Sequence, residues 1–260
     1  MLPRDDLGSG PPVVLLHAGI ADRTMWAEHL GPIAAAGRRA IAFDLPGFGE
    51  APPTSAPEWE AVLEAMDGLS LDRAAIVGNS FGGAVAMRIA AIAPERVESL
   101  ALISAPPPAL QPSARLAAAW DAEEKALERG DIDAAVEAVL EAWLQPGAPA
   151  ELRDRVARMQ RRALELQIGA PAEEPPDPLQ ERPELLEKLG MPILVAVGEQ
   201  DLGDFRSGAE QLAGAMPGAR LEPIPDAGHL APLEAPEGFR ELLLEFLAQS
   251  PGRKGAPGPK

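Results

Sequence analysis

Short apolar runs alternate with longer amphipathic segments over most of the chain. Runs such as residues 13–16 and 74–77 are continuously apolar and are bounded by proline, glycine or charged residues. Such runs are typical of strands buried on both faces of a parallel sheet, and the amphipathic segments between them predict helices. The predicted strands cover residues 13–17, 39–44, 74–77, 97–103, 192–197 and 219–224. The alternation predicts an α/β fold with a doubly wound, mainly parallel sheet of about six strands.

The alternation stops near residue 106 and resumes near residue 181. Three consecutive prolines interrupt it. Three helical segments follow, at about residues 113–129, 132–144 and 150–168. Their apolar residues recur at helical spacing and need a surface to pack on. We interpret most of the following side chains as the apolar core of this block, with contact to a substrate as the alternative for the others: Leu116, Trp120, Leu127, Val136, Val139, Leu140 and Trp143.

These patterns divide the chain into three parts. Residues 1–105 and 181–249 form the predicted α/β core, and residues 106–180 form an α-helical lid inserted between two strands. Residues 250–260 are rich in proline, glycine and lysine, a composition that buries too little apolar surface to fold. We therefore expect a disordered tail there.

The composition excludes several classes of function. The 260-residue chain has no cysteine, which excludes disulfides and thiolate metal sites and makes a cytoplasmic location the simplest expectation. Its N-terminus lacks an apolar signal core, and no apolar run approaches the ~18 residues of a membrane span. A net charge of −17 argues against nucleic acids and anionic membranes as partners. A small-molecule substrate remains, and the oligomeric state is open between monomer and homodimer.

The third predicted strand leads directly into a Gly-x-Ser-x-Gly motif at residues 78–82. A helical pattern begins at Phe81, so Ser80 lies at the corner between strand and helix. A tight corner of this kind exposes the serine Oγ above the sheet edge, and the glycines leave room for it. The motif alone also fits an ordinary strand–helix turn. The decisive question is whether a base and an acid follow other strands.

An acid and a base do follow later strands. Asp201 comes just after the fifth predicted strand, and His229 comes just after the sixth. Ligands of an open α/β sheet bind at the carboxyl ends of its strands, so these residues are predicted to meet Ser80 there. His229 would take the serine proton, and Asp201 would orient the imidazole. Glu199 is an alternative acid, although its spacing from the strand is less suitable.

Two backbone donors are predicted to stabilise the oxyanion of such a reaction. One is the N–H of Phe81, directly after the nucleophile. The other comes from the loop after the first predicted strand, from Gly19 or, if the register shifts by one residue, from Ile20. His17 ends that strand and is expected to help hold the loop.

The remaining candidate residues are interpreted as structural. His29 falls inside a predicted helix and is expected to be a surface or structural residue. Asp44 ends the second predicted strand, and we expect it to hydrogen-bond its own Pro-Gly turn. The chemistry outlined above requires no metal and no organic cofactor.

Several of these segments together resemble the α/β-hydrolase family. The matching segments are residues 15–19 with Trp26, 43–49, 78–83, 198–201 and 228–229. The resemblance extends over about residues 11–249 and implies the α/β-hydrolase fold with a helical lid. Haloalkane dehalogenases and epoxide hydrolases of this superfamily carry aspartate at the elbow. The serine found here therefore indicates ester-type acyl chemistry.

Two departures from the family pattern affect these expectations. The family usually has His-Gly in the loop after the first strand, where this chain has His17 and Ala18, a change that should leave the backbone donor intact. Relatives usually have two further N-terminal strands, but only twelve residues precede Val13. We therefore expect the first of them to be missing and the second to be vestigial or absent, which leaves a sheet edge available for pairing.

The sequence thus predicts a serine hydrolase that cleaves a small, largely apolar carboxylic ester or lactone through an acyl-enzyme on Ser80. The elbow is also similar to that of meta-cleavage-product hydrolases, which cut carbon–carbon bonds. Their Ser-Gly-x-Gly oxyanion loop is not found in this chain. Carbon–carbon bond hydrolysis, perhydrolase chemistry and a non-catalytic binding role on the same fold remain alternatives.

Overall fold

The computed structural model describes residues 1–170 and 176–249, and a seven-stranded sheet forms its centre. The strands are β1 (Arg4–Gly8), β2 (Pro12–Leu16), β3 (Arg39–Phe43), β4 (Ala74–Asn79), β5 (Val97–Ile103), β6 (Ile193–Gly198) and β7 (Arg220–Ile224). Their order across the sheet is β1-β3-β2-β4-β5-β6-β7. Strands β2 to β7 run parallel to one another, which confirms the prediction of six parallel strands.

Helices follow most of the strands and cover both faces of the sheet. They are α1 (Ala27–Ala35), α2 (Glu58–Gly68), α3 (Phe81–Ile92), α4 (Ala114–Glu128), α5 (Ile132–Trp143), α6 (Ala150–Gln167), α7 (Pro178–Glu181), α8 (Gly203–Ala215), α9 (Ala231–Glu234) and α10 (Pro236–Gln249). Short 3-10 helices cover Arg23–Trp26, Pro94–Arg96 and Pro183–Lys188. None of the helices in the described part of the chain is long and apolar enough to cross a membrane.

The strands share their side chains between two hydrophobic cores, one on each face of the sheet. Val14 and Leu16 of β2 pack in the core that contains buried residues of α2, α3 and α8. Val13 and Leu15 pack in the core that contains buried residues of α1 and α10. Successive side chains of a strand point to opposite faces, so a continuously apolar strand requires both faces to be covered. The doubly wound arrangement predicted from the sequence is confirmed.

The N-terminal segment differs from the expectation of a vestigial or absent strand. Residues Arg4–Gly8 form β1, a five-residue strand that pairs antiparallel with β3 at the edge of the sheet. Its two acidic residues find cationic partners: Asp6 accepts hydrogen bonds of 2.9 and 2.7 Å from Arg39, and Asp5 accepts one of 3.3 Å from Arg23. The consecutive aspartates look like loop residues in the sequence because these partners are distant along the chain.

Helices α4 to α7 lie between β5 and β6, in the segment predicted as a lid, and we call α4, α5 and α6 the lid helices. Residues 171–175 of this segment and the predicted tail at 250–260 lie outside the described residues. Gln167 of α6 donates to the Gly47 carbonyl at 3.2 Å, and Ser113 ahead of α4 donates to Asp204 through its N–H at 2.6 Å and its Oγ at 2.9 Å. These contacts join the lid helices to loops of the core.

Of the seven side chains considered for the apolar core of the lid, four are buried, Trp143 is half-buried and two are exposed. Leu116, Val136, Val139 and Leu140 are buried as expected. Trp120 is 42% exposed and lines the cavity described below, and Leu127 is 37% exposed, so these two residues do not belong to the lid core. The physical reason is that α4 buries only Leu116 and Ala126, which leaves the remainder of its surface open to solvent or to the cavity described below.

Candidate active site

Ser80 occupies the corner between β4 and α3, as the sequence predicts. Its backbone has φ +51° and ψ −114°, in a region that favours glycine and strains a residue with a side chain. Glycines on both sides allow the corner to close. A Cβ at Gly78 would overlap the backbone of Gly82, and a Cβ at Gly82 would overlap the carbonyl groups of Leu16 and His17. The close packing of strand, turn and helix holds Ser80 in its strained conformation.

The structure brings together the three residues that the sequence singles out as nucleophile, base and acid. His229 Nε2 lies 2.8 Å from Ser80 Oγ. His229 Nδ1 lies 3.1 and 3.2 Å from the two carboxylate oxygens of Asp201. Both His229 and Asp201 are buried. The arrangement fits Nδ1–H donating to the carboxylate while Nε2 accepts from the serine hydroxyl, which is the arrangement that activates a serine. The alternative acid, Glu199, has an exposed side chain.

The loops that carry the acid and the base are held together along their backbones. The N–H of Gln200 donates to the Ala227 carbonyl at 2.9 Å, and the N–H of Glu199 donates to the Ile224 carbonyl at 3.1 Å. Gly198 permits this approach, because a Cβ there would overlap the carbonyl groups of Ala227 and Gly228. The Leu202 N–H also donates to Asp201 Oδ1 at 2.7 Å. The carboxylate is therefore fixed before any ligand binds.

Glu234 fastens the loop of His229, and the sequence did not single it out. Its Oε2 accepts hydrogen bonds from the N–H groups of Gly228 at 2.9 Å and Leu230 at 3.1 Å, on either side of the histidine. Its Oε1 accepts from the N–H of Gln145 at 3.0 Å, at the end of the α5 segment of the lid. Burial raises the pKa of Glu234, and the three backbone donors oppose that rise. An acidic residue five positions after the candidate base was the only sequence signal.

Asn79 also holds the base in place, and the sequence pointed to no role for it. Its Nδ2 donates to the His229 carbonyl at 3.1 Å and to the Ile103 carbonyl at 3.0 Å. Two aromatic rings pack on the imidazole: the ring centroid of Phe205 lies 4.3 Å from that of His229, and the centroid of Trp143 lies 4.5 Å away. Trp143 belongs to the lid, so the base is covered by a lid side chain as well as by the core.

The loops predicted to form the oxyanion site lie beside the elbow. A Cβ at Gly19 would lie 3.4 Å from the Cβ of Phe81, so the two candidate donors belong to adjacent residues in space. His17 is fully buried; its Nδ1–H donates to the Ala18 carbonyl at 2.8 Å, and its Nε2 accepts from the Leu45 N–H at 3.0 Å. Burial lowers the pKa of His17, which keeps the ring neutral. His17 thereby connects the loops after β2 and β3.

The other two residues interpreted as structural are both buried and paired. His29 Nε2 donates to the Pro232 carbonyl at 2.9 Å, and its ring packs against the rings of Trp26 and Phe239. It is a buried structural residue, so the surface alternative is wrong. Asp44 accepts from the N–H of Glu50 at 2.8 Å, at the end of its own turn, and forms an ion pair with Arg23.

A cavity of about 210 Å³ opens onto the serine and the histidine. Its walls are formed by Ala18, Gly19, Ile20, Ser80, Trp120, Glu123, Trp143, Gln160, Gln167 and His229. Five of these residues come from the lid helices, and three of the five carry polar side chains. No sequence pattern indicated a role for Glu123, Gln160 or Gln167. The described residues contain no group of three or more His, Asp or Glu side chains arranged to hold a metal ion.

Known proteins are similar in sequence to this chain over most of its length. Over 248 residues the chain is 30% identical to the dihydrolipoyllysine-residue acetyltransferase component of the acetoin cleaving system of Pseudomonas putida, a match covering 92% of this chain and 64% of that protein. The chain therefore spans less than two thirds of that relative's length. It is also 30% identical to the 2-hydroxy-6-oxononadienedioate/2-hydroxy-6-oxononatrienedioate hydrolase of Comamonas testosteroni, over 94% of this chain and 90% of that protein.

A solved structure has the same architecture over nearly the whole chain. The thermophilic esterase from Thermogutta terrifontis, with malate bound, matches with a TM-score of 0.78 at 27% sequence identity, covering 96% of this chain and 93% of that one. A family model described as alpha/beta hydrolase fold matches residues 11–236, which include the elbow and the loops of the acid and the base. The chain belongs to the α/β-hydrolase family.

Proposed function

We propose that the protein is a serine hydrolase that cleaves a small carboxylic ester or lactone through an acyl-enzyme on Ser80. The observation that carries the proposal is the continuous hydrogen-bonded line from Ser80 Oγ to His229 Nε2, at 2.8 Å, and from His229 Nδ1 to the Asp201 carboxylate, at 3.1 Å. A serine hydroxyl is a weak nucleophile until a positioned base takes its proton. The cavity of about 210 Å³ is smaller than the roughly 300–1,000 Å³ of pockets for drug-sized ligands, which supports a small substrate.

In the proposed reaction, Ser80 Oγ attacks the carbonyl carbon while His229 Nε2 takes the serine proton. The resulting tetrahedral species collapses, the ester C–O bond breaks, and His229 returns the proton to the departing alcohol. A water molecule then attacks the acyl-enzyme, again losing a proton to His229, and the acid leaves as Ser80 recovers its hydrogen. Asp201 keeps the imidazole in the required tautomer and stabilises its charged form.

The backbone N–H groups of Gly19 and Phe81 are proposed to hold the oxyanion. Phe81 is the first residue of α3, and the first N–H groups of a helix have no partner within the helix. Helix N-termini also favour negative charge. Loss of one such donor typically costs about 3 kcal/mol of transition-state stabilisation. If the register of the β2 loop shifts, the Ile20 N–H would replace that of Gly19.

Carbon–carbon bond hydrolysis is the second candidate, because the name of the Comamonas testosteroni relative makes it a hydrolase of a 2-hydroxy-6-oxo dienedioate. The substrate in that name is a dicarboxylate. The cavity of this protein has no lysine or arginine among its lining residues in the described part of the chain, and it has the acidic side chain of Glu123. A dicarboxylate would meet repulsion and no cationic partner there. These features support an ester or lactone that carries no carboxylate over a dienedioate.

The test is labelling with an alkyl fluorophosphonate, which reports an activated serine whatever the natural substrate is. We expect one adduct on Ser80, identified by intact mass and peptide mapping, and a loss of labelling in His229→Ala. The exposed Ser207→Ala variant serves as the matched control and should label at the wild-type rate. Panels of esters, lactones, peroxide with an acid, and a dienedioate then separate hydrolysis from perhydrolase and carbon–carbon chemistry.

Absence of an adduct on the folded wild-type protein would overturn the proposal and favour a non-catalytic binding role. A cytoplasmic location and a monomeric or homodimeric state belong to the same proposal. Fractionation of cells and light scattering of the purified protein test these two points independently of the chemistry.

A further inference from the structure

Two polar side chains of the lid, Glu123 and Gln160, line the cavity. The packing of α6 does not require a polar residue at position 160. Glu123 lies on α4 and Gln160 lies on α6, and Gln160 Nε2 donates to Glu123 Oε1 at 3.1 Å. Gln160 is only 3% exposed. Its buried neighbours on α6 are apolar: Val156, Met159, Ala163 and Leu164. An aliphatic side chain at position 160 would therefore suit the packing of this helix at least as well.

The carbonyl oxygen of Gln160 is left without a partner. Gln160 Oε1 is buried and makes no hydrogen bond with any residue in the described part of the chain. Leaving a buried acceptor unpaired typically costs about 1–3 kcal/mol. Such groups are rare in folded proteins and call for an explanation, which a bound ligand can supply. The residue lines the same cavity as Ser80 and His229, so the missing partner can come from the substrate.

Glu123 adds a second acceptor to the same wall. Burial raises the pKa of its carboxyl group, while the hydrogen bond from Gln160 opposes that rise. In the described part of the chain, the other lining residues include no lysine or arginine that could neutralise the carboxylate. The net charge of −17 gives the surroundings the same sign. A group that donates hydrogen bonds is favoured at this wall, and a carboxylate is disfavoured.

We propose that Gln160 and Glu123 form a subsite for a hydrogen-bond donor on the substrate, a hydroxyl or ammonium group carried at a distance from the scissile bond. This inference rests on the proposed function and deepens it, because the substrate becomes an ester or lactone with a polar end instead of a largely apolar one. The donor occupies Gln160 Oε1 and lies beside the Glu123 carboxylate. Trp120 and Trp143 also line this cavity and add apolar surface for the carbon chain.

The experiment compares the rates at which Ser80 is labelled by alkyl fluorophosphonates that differ only at the chain end. The ends are methyl, hydroxyl, ammonium and carboxylate, each at several chain lengths. In every case a P–O bond to Ser80 forms, the P–F bond breaks and fluoride leaves, so the chemistry is constant. At the best length we expect the hydroxyl probe to react about tenfold faster than the methyl probe, and the ammonium probe faster still. The carboxylate probe should be the slowest.

Variants assign the preference to the two side chains. Gln160→Leu keeps the volume and removes the acceptor, so the hydroxyl-to-methyl rate ratio should fall to about one. Glu123→Gln removes the charge and keeps an acceptor, so the ammonium preference should fall while the hydroxyl preference persists. Gln211→Leu, an exposed glutamine on α8 that does not line this cavity, is the matched control and should leave both ratios unchanged.

The outcomes separate failure of the subsite from failure of the proposed function. Rapid labelling of Ser80 by all four probes at equal rates, at every length, would overturn the subsite and leave the serine hydrolase intact. A hydroxyl preference that survives in Gln160→Leu, or an ammonium preference that is unchanged in Glu123→Gln, with the variant folded by circular dichroism, would also overturn it. Absence of labelling by every probe would overturn the proposed function and the subsite together.

Discussion

The core side and the lid side of the cavity are held in different ways. On the core side, Ser80, Asp201 and His229 follow strands, and the backbone of His229 is held by Asn79 and Glu234. On the lid side, α4 buries only two side chains, Leu116 and Ala126, and presents an exposed tryptophan. We call the first region the catalytic corner and the second the lid wall.

This difference between the catalytic corner and the lid wall suggests how one fold can catalyse the same reaction on different substrates. Groups that move protons need sub-ångström placement, and backbone hydrogen bonds at strand ends supply it. Groups that select a substrate tolerate more variation, because their contribution is a difference in binding between ligands. We therefore expect changes in the catalytic corner to alter rate on all substrates, and changes in the lid wall to alter the choice among them.

The strongest contrast should come from equivalent substitutions of two glutamates. Glu234→Gln places an amide NH₂ group against the backbone N–H of Gly228, Leu230 or Gln145. At least one of the hydrogen bonds that hold the loop of His229 is then lost. We expect kcat on every ester to fall by about tenfold to a hundredfold with little change in KM. Steady-state kinetics on an ester panel provide the measurement.

The matching lid variant, Glu123→Gln, should change the ranking of substrates while leaving the rate on an apolar ester near that of the wild type. An equal loss of kcat in both variants on all esters would contradict the distinction between the catalytic corner and the lid wall. Thermal unfolding of each variant must accompany the kinetics, since a loss caused by unfolding would also be uniform.

Acid should affect the contributions of two buried groups, His17 of the core and Glu123 of the lid wall, with opposite sign. Burial lowers the pKa of His17 below its ordinary 6.5, so below about pH 6.5 the unfolded chain takes up a proton that the folded chain refuses. Stability then falls with falling pH, by a contribution approaching about 1.4 kcal/mol per pH unit. Burial raises the pKa of Glu123 above its ordinary 4.5, so its contribution is present at low pH and is lost as pH rises through the folded pKa.

Urea denaturation at a series of pH values measures both contributions. A His17→Gln variant should have a shallower decline of the free energy of unfolding between about pH 6.5 and 5.5 than the wild type. Glu123→Gln should lose less stability than the wild type as pH rises above 4.5. His29, whose pKa burial also lowers, contributes in the same direction as His17 and remains in both proteins. Parallel curves for wild type and His17→Gln would contradict this assignment.

The smallest expected effect on stability is that of Trp120→Ala. The side chain is 42% exposed, so its removal should change the free energy of unfolding by less than about 1 kcal/mol. Because Trp120 lines the cavity, KM should rise for esters with long or bulky chains while kcat stays nearly constant. Leu127→Ala, on the same helix and outside the cavity, is the control. A large loss of kcat in Trp120→Ala would place this lid residue in the catalytic corner.

The catalytic corner was accessible from the sequence because strand ends are visible as apolar runs. Each of Ser80, Asp201 and His229 closely follows such a run, and the geometry of a parallel sheet brings those ends together. The residues that support the catalytic corner could not be predicted from the sequence. Asn79 and Glu234 act on backbone atoms of a distant or neighbouring loop, and no side-chain pattern records such contacts.

The lid wall could not be predicted, because helical periodicity does not say what each face of a helix meets. Trp120 and Leu116 both fit the apolar stripe of α4, yet one lines the cavity and the other is fully buried. The choice depends on how α4 crosses α5 and α6, which is a property of tertiary packing. The edge strand β1 was underestimated for a similar reason, since its aspartates are paired with Arg23 and Arg39 only in the folded sheet.

Under the proposed mechanism, the strained backbone of Ser80 lowers stability at the same position that turnover requires. A conformation of this kind costs about 1–3 kcal/mol in a residue with a side chain, and glycine would largely relieve it. Selection for stability at high temperature alone would therefore favour glycine at position 80. The resulting protein would be more stable and would lack the proposed activity. If such a selection leaves serine at position 80, the activity that needs the serine hydroxyl must also have been under selection.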